Sequence, residues 1–318
     1  MDSFGWSEAT SSGVEWILDN TSDPVGILTP DLVDDTKVTF TCDQELEGDN
    51  GLYTVQDELG SGGFGQVYRV LQVGTNREFA LKTARGTKGI KFLQKEYNLL
   101  KLLNGVDGFL RVHDQIMLGS NVEAIVLDLQ GKDLKKTKNE RGGLGSKRTA
   151  KVAVAMLTCL KALHDEGYVH QDIKPDNILI GNKDPTEFYL IDLGLAREIY
   201  DNPDNMKPCG TKRYMSLNQH MENKTSRQDD MEQLAYTLID VAKGSLPWEN
   251  ELDHNSLFEA KLEIEGGDIC GPNLHKIYED FLIYTHELEY TDEPDYDKWI
   301  SKFQCINEED LSSERKGD

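Results

Sequence analysis

The alternation of apolar and polar positions divides the chain into a strand-rich stretch, a longer helical stretch and an opening segment with neither period. Gln66 to Val73 is rich in Val, Tyr and Leu and reads as a strand returning from a glycine turn. Phe79-Ala80-Leu81-Lys82-Thr83 and Ala124-Ile125-Val126-Leu127 are short apolar runs suited to buried strands. Between them, Lys91 to Leu100 carries apolar residues at helical spacing, which places Glu96, the one acid of that segment, on an amphipathic helix. Further on, Gly142-Gly143-Leu144-Gly145 leads into a long helix from Ala150 to His164, and Asp230 begins another carrying Leu234, Tyr236, Leu238 and Ile239.

The opening segment is set apart by charge. The formal net charge of the 318 residues is −23, and residues 1–50 hold Asp31, Asp34, Asp35, Asp43, Glu45, Glu47 and Asp49 among their acids against one base, Lys37. With Ser and Thr clusters and isolated apolar groups such as Trp16-Ile17-Leu18, this segment reads as an acidic, disordered arm. Docking through Trp16-Ile17-Leu18, or onto a basic partner, is the alternative. The global charge repels phosphates, so no direct nucleic-acid contact is expected. One basic island opposes the trend: Lys132, Lys135, Lys136, Lys138, Arg141, Lys147, Arg148 and Lys151. A solvated surface is the plain reading, and a site for an acidic substrate or for the arm is the sharper one. No apolar run is long enough to cross a bilayer, and the N-terminus lacks the pattern of a signal peptide, so no membrane association is expected. Cys42, Cys159, Cys209, Cys270 and Cys305 are odd in number and lack metal-ligand spacing, which favours a reducing cytoplasmic or nuclear setting.

The densest chemistry lies in Tyr168-Val169-His170-Gln171-Asp172-Ile173-Lys174-Pro175-Asp176-Asn177, followed by Ile191-Asp192-Leu193-Gly194. An Asp can orient and deprotonate a hydroxyl, a Lys can steady a migrating phosphate, and Asn with Asp can hold Mg2+ through oxygen. Upstream, Leu59-Gly60-Ser61-Gly62-Gly63-Phe64-Gly65-Gln66-Val67 offers glycines that let backbone approach a triphosphate. The spacing Gly60, Gly62, Gly65 also opens dinucleotide-binding folds, but those need a helix next, and a strand follows here. A polar loop, a strand-end lysine at Lys82 and a solvated helix charge at Glu96 are the bland counterparts of these readings.

These motifs resemble the catalytic loop, metal-binding turn and glycine loop of eukaryotic protein kinases. The closing signature narrows the likeness. Gly210-Thr211-Lys212-Arg213-Tyr214-Met215-Ser216-Leu217-Asn218, Ser226 to Glu232 and Gly244-Ser245-Leu246-Pro247-Trp248 are similar to the casein kinase 1 group, where a Ser-Ile-Asn-type triplet replaces Ala-Pro-Glu. Leu288 to Tyr296 resembles that group's last helical region, whereas Asn182 to Leu190 and Pro247 to Asn250 also resemble the vaccinia-related branch, so the branch stays open.

The resemblance covers about Tyr53 to Phe303 and implies a bilobal α+β kinase fold, with a small β-rich N-lobe (about 51–128) and a larger helical C-lobe (about 131–305) between the arm (1–50) and a short tail (306–318). It implies a serine/threonine protein kinase, ATP with Mg2+, protein substrates and a monomer. Asp172 would be the base, Lys174 the phosphate-steadying cation and Thr211 their orienting partner, with Asn177 and Asp192 on Mg2+. ATP would lie against Leu59, Gly60, Ser61, Gly62, Gly63, Phe64, Gly65, Gln66, Val67 and Ala80, with Lys82, paired to Glu96, on its phosphates. The backbone of Asp128, Leu129 and Gln130 would read adenine, with Leu127 limiting depth behind it. Asp230 would hold the catalytic loop from below.

Departures matter as well. Gln171 stands where many kinases place the Arg that pairs with a phosphorylated loop, which predicts activity without loop phosphorylation. Leu193 replaces the usual Phe. Arg213 matches one half of a basic pocket that relatives use for pre-phosphorylated substrates, yet Glu249-Asn250-Glu251-Leu252-Asp253 is acidic where its Lys would lie, so basic substrates become plausible. A nucleotide-binding pseudokinase scaffold is the competing class, though Lys82, Glu96, Asp172, Asn177 and Asp192 are all present; a small-molecule kinase would not predict Gly210-Thr211.

Overall fold

The computed structural model describes residues 40–62, 65–84, 86–117, 123–199, 209–251, 253–263 and 269–313, without the side chains of 307–313. Its first part is an antiparallel sheet in the order β1-β2-β3-β4-β6-β5, built from β1 (Glu45–Glu47), β2 (Leu52–Gly62), β3 (Gly65–Gln72), β4 (Arg77–Thr83), β5 (Val112–Met117) and β6 (Glu123–Asp128). Period-two alternation sends side chains to opposite faces. Tyr53, Val55, Tyr68, Val70, Phe79 and Leu81 form one apolar layer, joined by Leu46, Ile116, Ala124 and Val126. Ala80, Ile125 and Leu127 point the other way, into the core shared with the helices. There lies helix α1 (Gly86–Leu102), whose buried stripe Leu93, Glu96, Leu99 and Leu100 includes a single acid.

The outer layer extends into the acid-rich segment. Phe40 packs on it, its ring 5.3 Å from that of Tyr68, and β1 pairs with β2 through Leu46 opposite Tyr53. Asp114 ties this edge down, accepting from the Asn50 N–H at 2.9 Å and the Tyr53 hydroxyl at 3.0 Å. Residues 40–50 are therefore part of the lobe, although composition groups them with the arm. Two well-spaced apolar residues among outward-facing acids suffice to seat a short edge strand. Trp16-Ile17-Leu18 lies outside the described residues.

The remainder is helical: α2 (Leu134–Arg141), α3 (Gly145–Asp165), α4 (Leu217–His220), α5 (Arg227–Lys243), α6 (His254–Glu263), α7 (Ile277–Glu287) and α8 (Tyr296–Ser313). Two small two-stranded sheets, β7 (Tyr168–Val169) with β10 (Arg197–Glu198) and β8 (Ile178–Ile180) with β9 (Phe188–Leu190), carry the loops between α3 and α4. Helix α5 is buried from Asp229 to Ala242, which makes it the axis of this lobe. Phe281 meets Trp299 and Phe303 edge-on where α7 meets α8, and those two rings are tilted against each other. Most of the segment from Leu288 to Tyr296 is the turn between these helices, and helix resumes only at Tyr296, past Pro294.

Half of the basic island is neutralised in place. Lys132 pairs with Glu140 at 2.6 Å, Lys135 with Asp176 at 2.7 Å and Lys136 with Asp133 at 3.1 Å. Lys138 is not a surface residue: it is buried and binds both oxygens of Asp240 at 2.9 Å, and the Tyr214 hydroxyl donates to the same carboxylate at 2.6 Å. This arrangement fits the solvated-surface reading for the exposed lysines and ties α2 to the segment after Thr211.

Candidate active site

The glycine turn joins β2 to β3, with Gly60 opposite Val67, Ser61 opposite Gln66 and Gly62 opposite Gly65; Gly63 and Phe64 lie outside the described residues. A Cβ at Gly60 or Gly62 would meet nothing within 4 Å, so the space beside them is open. A Cβ at Gly65 would lie 1.8 Å from the Thr83 carbonyl oxygen, so glycine here lets β3 press against β4. Leu59 is half-buried in β2. Gln66 is tied through its backbone N–H to the Thr83 hydroxyl at 3.2 Å and through its amide to Glu58 at 3.0 Å. Val67 faces Lys82 across the β3–β4 ladder, and Ala80 faces Leu127 across β4–β6.

Lys82 reaches Glu96 at 2.5 Å and Asp192 at 3.1 Å. Burial opposes its charge, but Asp192 and Glu96 together raise its pKa, so it stays protonated. Lys82 in turn holds the Asp192 carboxyl below the usual range. At the other end of the cleft, the side chains of the hinge turn away from it. Asp128 accepts from the Arg111 N–H at 3.2 Å and pairs with His113 at 2.6 Å. Gln130 accepts from the Asn182 N–H at 3.0 Å. Asp128, Leu129 and Gln130 line a cavity of about 740 Å³ behind the hinge, shared with Arg77, Arg111 and Lys183. Asp128 and Gln130 thus have structural side chains, leaving the backbone of this strip for a ligand.

Asp172 is the hub of the catalytic loop. One carboxylate oxygen accepts from the Thr211 N–H at 2.8 Å; the other lies 2.7 Å from the Lys174 ammonium and 3.2 Å from the Asn177 amide nitrogen. Lys174 also donates to the Thr211 hydroxyl at 2.7 Å, and Asn177 to the Asp172 carbonyl at 2.8 Å. Burial works against the Lys174 charge, yet the adjacent Asp172 raises its pKa overall. The Asn177 amide nitrogen faces inward, so its oxygen is left for another partner. Asp192 has a left-handed backbone, φ 68°, which aims its half-exposed carboxylate into the same space. An amide oxygen and a carboxylate beside room for phosphate form a donor set suited to Mg2+, which keeps ligands from substrate and water.

Beneath the loop the supports change character. Asp230 accepts from the His170 N–H at 2.6 Å and the Gln171 N–H at 2.8 Å. Gln171, fully buried with φ 73°, donates its amide to the Thr225 hydroxyl at 2.6 Å and accepts from the Cys209 thiol at 2.7 Å. Gln233 accepts from the Ile173 N–H at 2.6 Å and donates to the Gln171 carbonyl at 2.9 Å. Sequence reasoning missed Cys209, Thr225 and Gln233. The one available signal for Gln233 was a polar residue on an otherwise apolar helix.

The segment closing the site is pinned at Ser216-Leu217-Asn218. The Ser216 hydroxyl donates to Asp229 at 2.5 Å, the Leu217 N–H to Glu232 at 2.9 Å and the Asn218 amide to the Lys224 carbonyl at 2.7 Å. Arg213 is engaged internally, donating to the Glu249 carboxylate at 3.2 Å and its carbonyl at 3.0 Å, while Trp248 donates to the Arg213 carbonyl at 2.9 Å.

Comparison with known proteins agrees with this geometry. The family described as Protein kinase domain matches residues 53–308. Casein kinase I homolog 3 of Schizosaccharomyces pombe is 31% identical over 272 residues, covering 80% of this chain and 62% of that protein. Casein kinase 1-like protein HD16 of Oryza sativa subsp. japonica is 33% identical over 307 residues, covering 86% of this chain and 42% of that protein. Casein kinase I homolog 2 of S. pombe is 31% identical over 265 residues, covering 77% and 60%. The chain thus spans less than two thirds of the length of these relatives. The bilobal architecture, the site geometry and these matches together place the chain in the protein kinase family, in its casein kinase 1 group.

Proposed function

We propose that the chain is a serine/threonine protein kinase that transfers the γ-phosphoryl group of ATP to protein hydroxyls, with Asp172 as the base. The observation that carries this reading is the convergence of Thr211, Lys174 and Asn177 on the Asp172 carboxylate. Those donors fix the carboxylate without enclosing it, so it can take up the acceptor hydroxyl in a defined orientation. Lys174 lies beside the place where charge migrates from donor to acceptor and can steady it. Lys82, held charged between Glu96 and Asp192, suits the α and β phosphates. Asn177 and Asp192 would hold Mg2+, which supplies neutralisation of phosphate charge when bound. Two finer readings follow from named contacts. Arg213 is capped by Glu249, which supports substrates that are not pre-phosphorylated. Gln171 sits in a neutral network, which supports activity without loop phosphorylation.

The test is transfer of labelled phosphate from ATP-Mg2+ to casein and to histone by the native chain and by Asp172→Asn. Transfer that disappears in the variant is the expected result. No transfer by either, with ATP still raising thermal stability, would replace the kinase reading by a nucleotide-binding scaffold.

A further inference from the structure

A buried cation with no carboxylate bound to it among the described residues lies under the segment that closes the site. Lys261, on α6, is 3% exposed. Its ammonium donates to the Met215 carbonyl at 2.6 Å and the Lys212 carbonyl at 3.1 Å, and it lies 3.2 Å from His220 Nε2. The rings of Tyr236 and Trp248 lie against it, at 4.9 and 5.3 Å to their centroids. All three hydrogen-bonding partners are neutral acceptors, matching the three N–H bonds of an ammonium group. The carboxylate acting on it through space, Glu232 of α5, is taken by the Leu217 N–H at 2.9 Å, the Tyr236 hydroxyl at 2.7 Å and His286 at 3.5 Å. Burying a charge is costly unless it is hydrogen-bonded, and here two carbonyls and an imidazole supply those bonds and are fixed by them. Those carbonyls bracket Arg213 and Tyr214, directly after Thr211.

A route to solvent is attached. His220 Nδ1 lies 3.4 Å from Nε2 of His254, which is only partly buried at the start of α6. The groups facing the ammonium are thus His220 from α4, Glu232 and Tyr236 from α5, Trp248 from the following loop and the Lys212–Met215 segment itself, with His254 one step beyond. Burial and the nearby Lys261 charge push His220 down to about 3, which keeps it neutral and able to accept.

We propose that Lys261 is a positioning residue that fixes the Lys212–Met215 segment for the protein substrate, and that the chain Lys261–His220–His254 makes this fixation depend on protonation. The proposal rests on the kinase reading for its kinetic consequence but not for its structural one. Burial pushes Lys261 down to about 7, with Glu232 the one opposing influence, so the ammonium form is lost as pH rises above neutrality. The neutral amine has two N–H bonds for three acceptors, and the anchorage loosens.

The experiment compares the full chain with Lys261→Met and His254→Leu. Lys261→Met should raise KM for a protein substrate about tenfold, the loss of one charged hydrogen bond, and leave KM for ATP within about twofold. In the native chain KM for substrate should rise from pH 6 to pH 8.5, a limb absent from Lys261→Met. His254→Leu removes the ring whose Nε2 faces both His220 Nδ1 and the His220 carbonyl, frees His220 to carry its proton on Nε2 toward Lys261, and should move that limb to lower pH. Hydrogen exchange supplies an activity-independent readout: amides of 213–216 should exchange faster in Lys261→Met while those of β3 and β4 stay unchanged. Equal exchange in that segment, or a parallel rise in both KM values with a lowered Tm, overturns the proposal. Faster exchange confined to the segment in a chain that transfers no phosphate would retain the positioning role and overturn the kinase reading instead.

Discussion

The two sides of the catalytic loop are built from different materials. Toward the cleft, ion pairs dominate: Lys82 with Glu96 and Asp192, and Lys174 with Asp172, the last joined by the Thr211 N–H and the Asn177 amide. Toward the closing segment, among the described residues, the Gln171 side chain meets a hydroxyl and a thiol, and Gln233 continues the pattern. Ion pairs stand where negative charge must arrive and migrate; beneath, the loop is held by the Asp230 carboxylate on two backbone N–H groups and by the amides of Gln171 and Gln233. A neutral network has no strong dependence on salt or on a modifying phosphate, so the loop's support is separated from its chemistry.

The largest test of that separation is on the ionic side. Asp172→Asn keeps the shape and the Thr211 contact but removes the proton acceptor, and kcat should fall by roughly 10²–10⁴-fold. Nucleotide should still raise the melting temperature, because Lys82 and Asp192 are untouched; a variant retaining more than a tenth of native kcat would remove Asp172 from its role. Next in size is Glu96→Ala. Lys82 keeps only Asp192, 3.1 Å away, and kcat/KM for ATP should drop on the order of tenfold to a hundredfold. Steady-state kinetics with ATP varied would show it.

The neutral side is probed by stability. Gln171→Arg forces a cation into a fully buried site whose side-chain partners are uncharged, and should cost about 3 kcal/mol. Gln171→Leu loses two hydrogen bonds and should cost about 1–2 kcal/mol. Denaturant unfolding of both variants gives the order. A more stable Arg variant would mean that an anion belongs in this place, and the contrast between the two sides would collapse.

The ionic side was also the legible one. Lys82, Glu96, Asp172, Lys174, Asn177 and Asp192 sit in short motifs whose spacing carries their chemistry, and the inner strands of the sheet follow short apolar runs such as Phe79 to Thr83. The supports were hidden because their partners are distant: Gln171 and Thr225 are 54 residues apart, Lys138 and Asp240 102. Lys138 illustrates the failure. In a run of lysines it reads as solvent-facing, and only the packing of α2 on α5 reveals its carboxylate. Lys261 is similar, since a lysine in an amphipathic helix reads as surface until the carbonyls it holds are located. β1 was obscured for the opposite reason, because the acids around Leu46 outweigh it in any compositional window.

A smaller effect concerns the rim. Glu249 caps Arg213 from the residue after Trp248, and the pair is partly exposed, so its own contribution to stability is under about 1 kcal/mol. Its removal matters for recognition. Glu249→Lys would free the guanidinium and set a second cation beside it, and kcat/KM for a pre-phosphorylated peptide over its unmodified form should rise about tenfold. An unchanged ratio would show that Arg213 does not face the substrate.

The smallest expected effect is the sharpest on the neutral side. Phosphatase treatment, verified by mass spectrometry, should leave kcat/KM within about twofold of the untreated enzyme. A phosphate on the closing segment can organise Asp172 only through a group that touches both, and at the place between them stands Gln171, whose side chain reaches Cys209 of the segment while its backbone is held by Asp230 beneath the loop. That amide carries no charge, and one of its two N–H bonds is already given to Thr225. Two cations do approach the segment: Lys95, whose ammonium donates to the Ala196 carbonyl at 3.1 Å, and Arg197 of β10, whose charge acts on the Cys209 thiol. The order of the loop is therefore set before any modification arrives. An enzyme that dies on dephosphorylation and revives on rephosphorylation would require a cation acting in place of Gln171, and the neutral network would then be packing rather than a substitute for the charged switch.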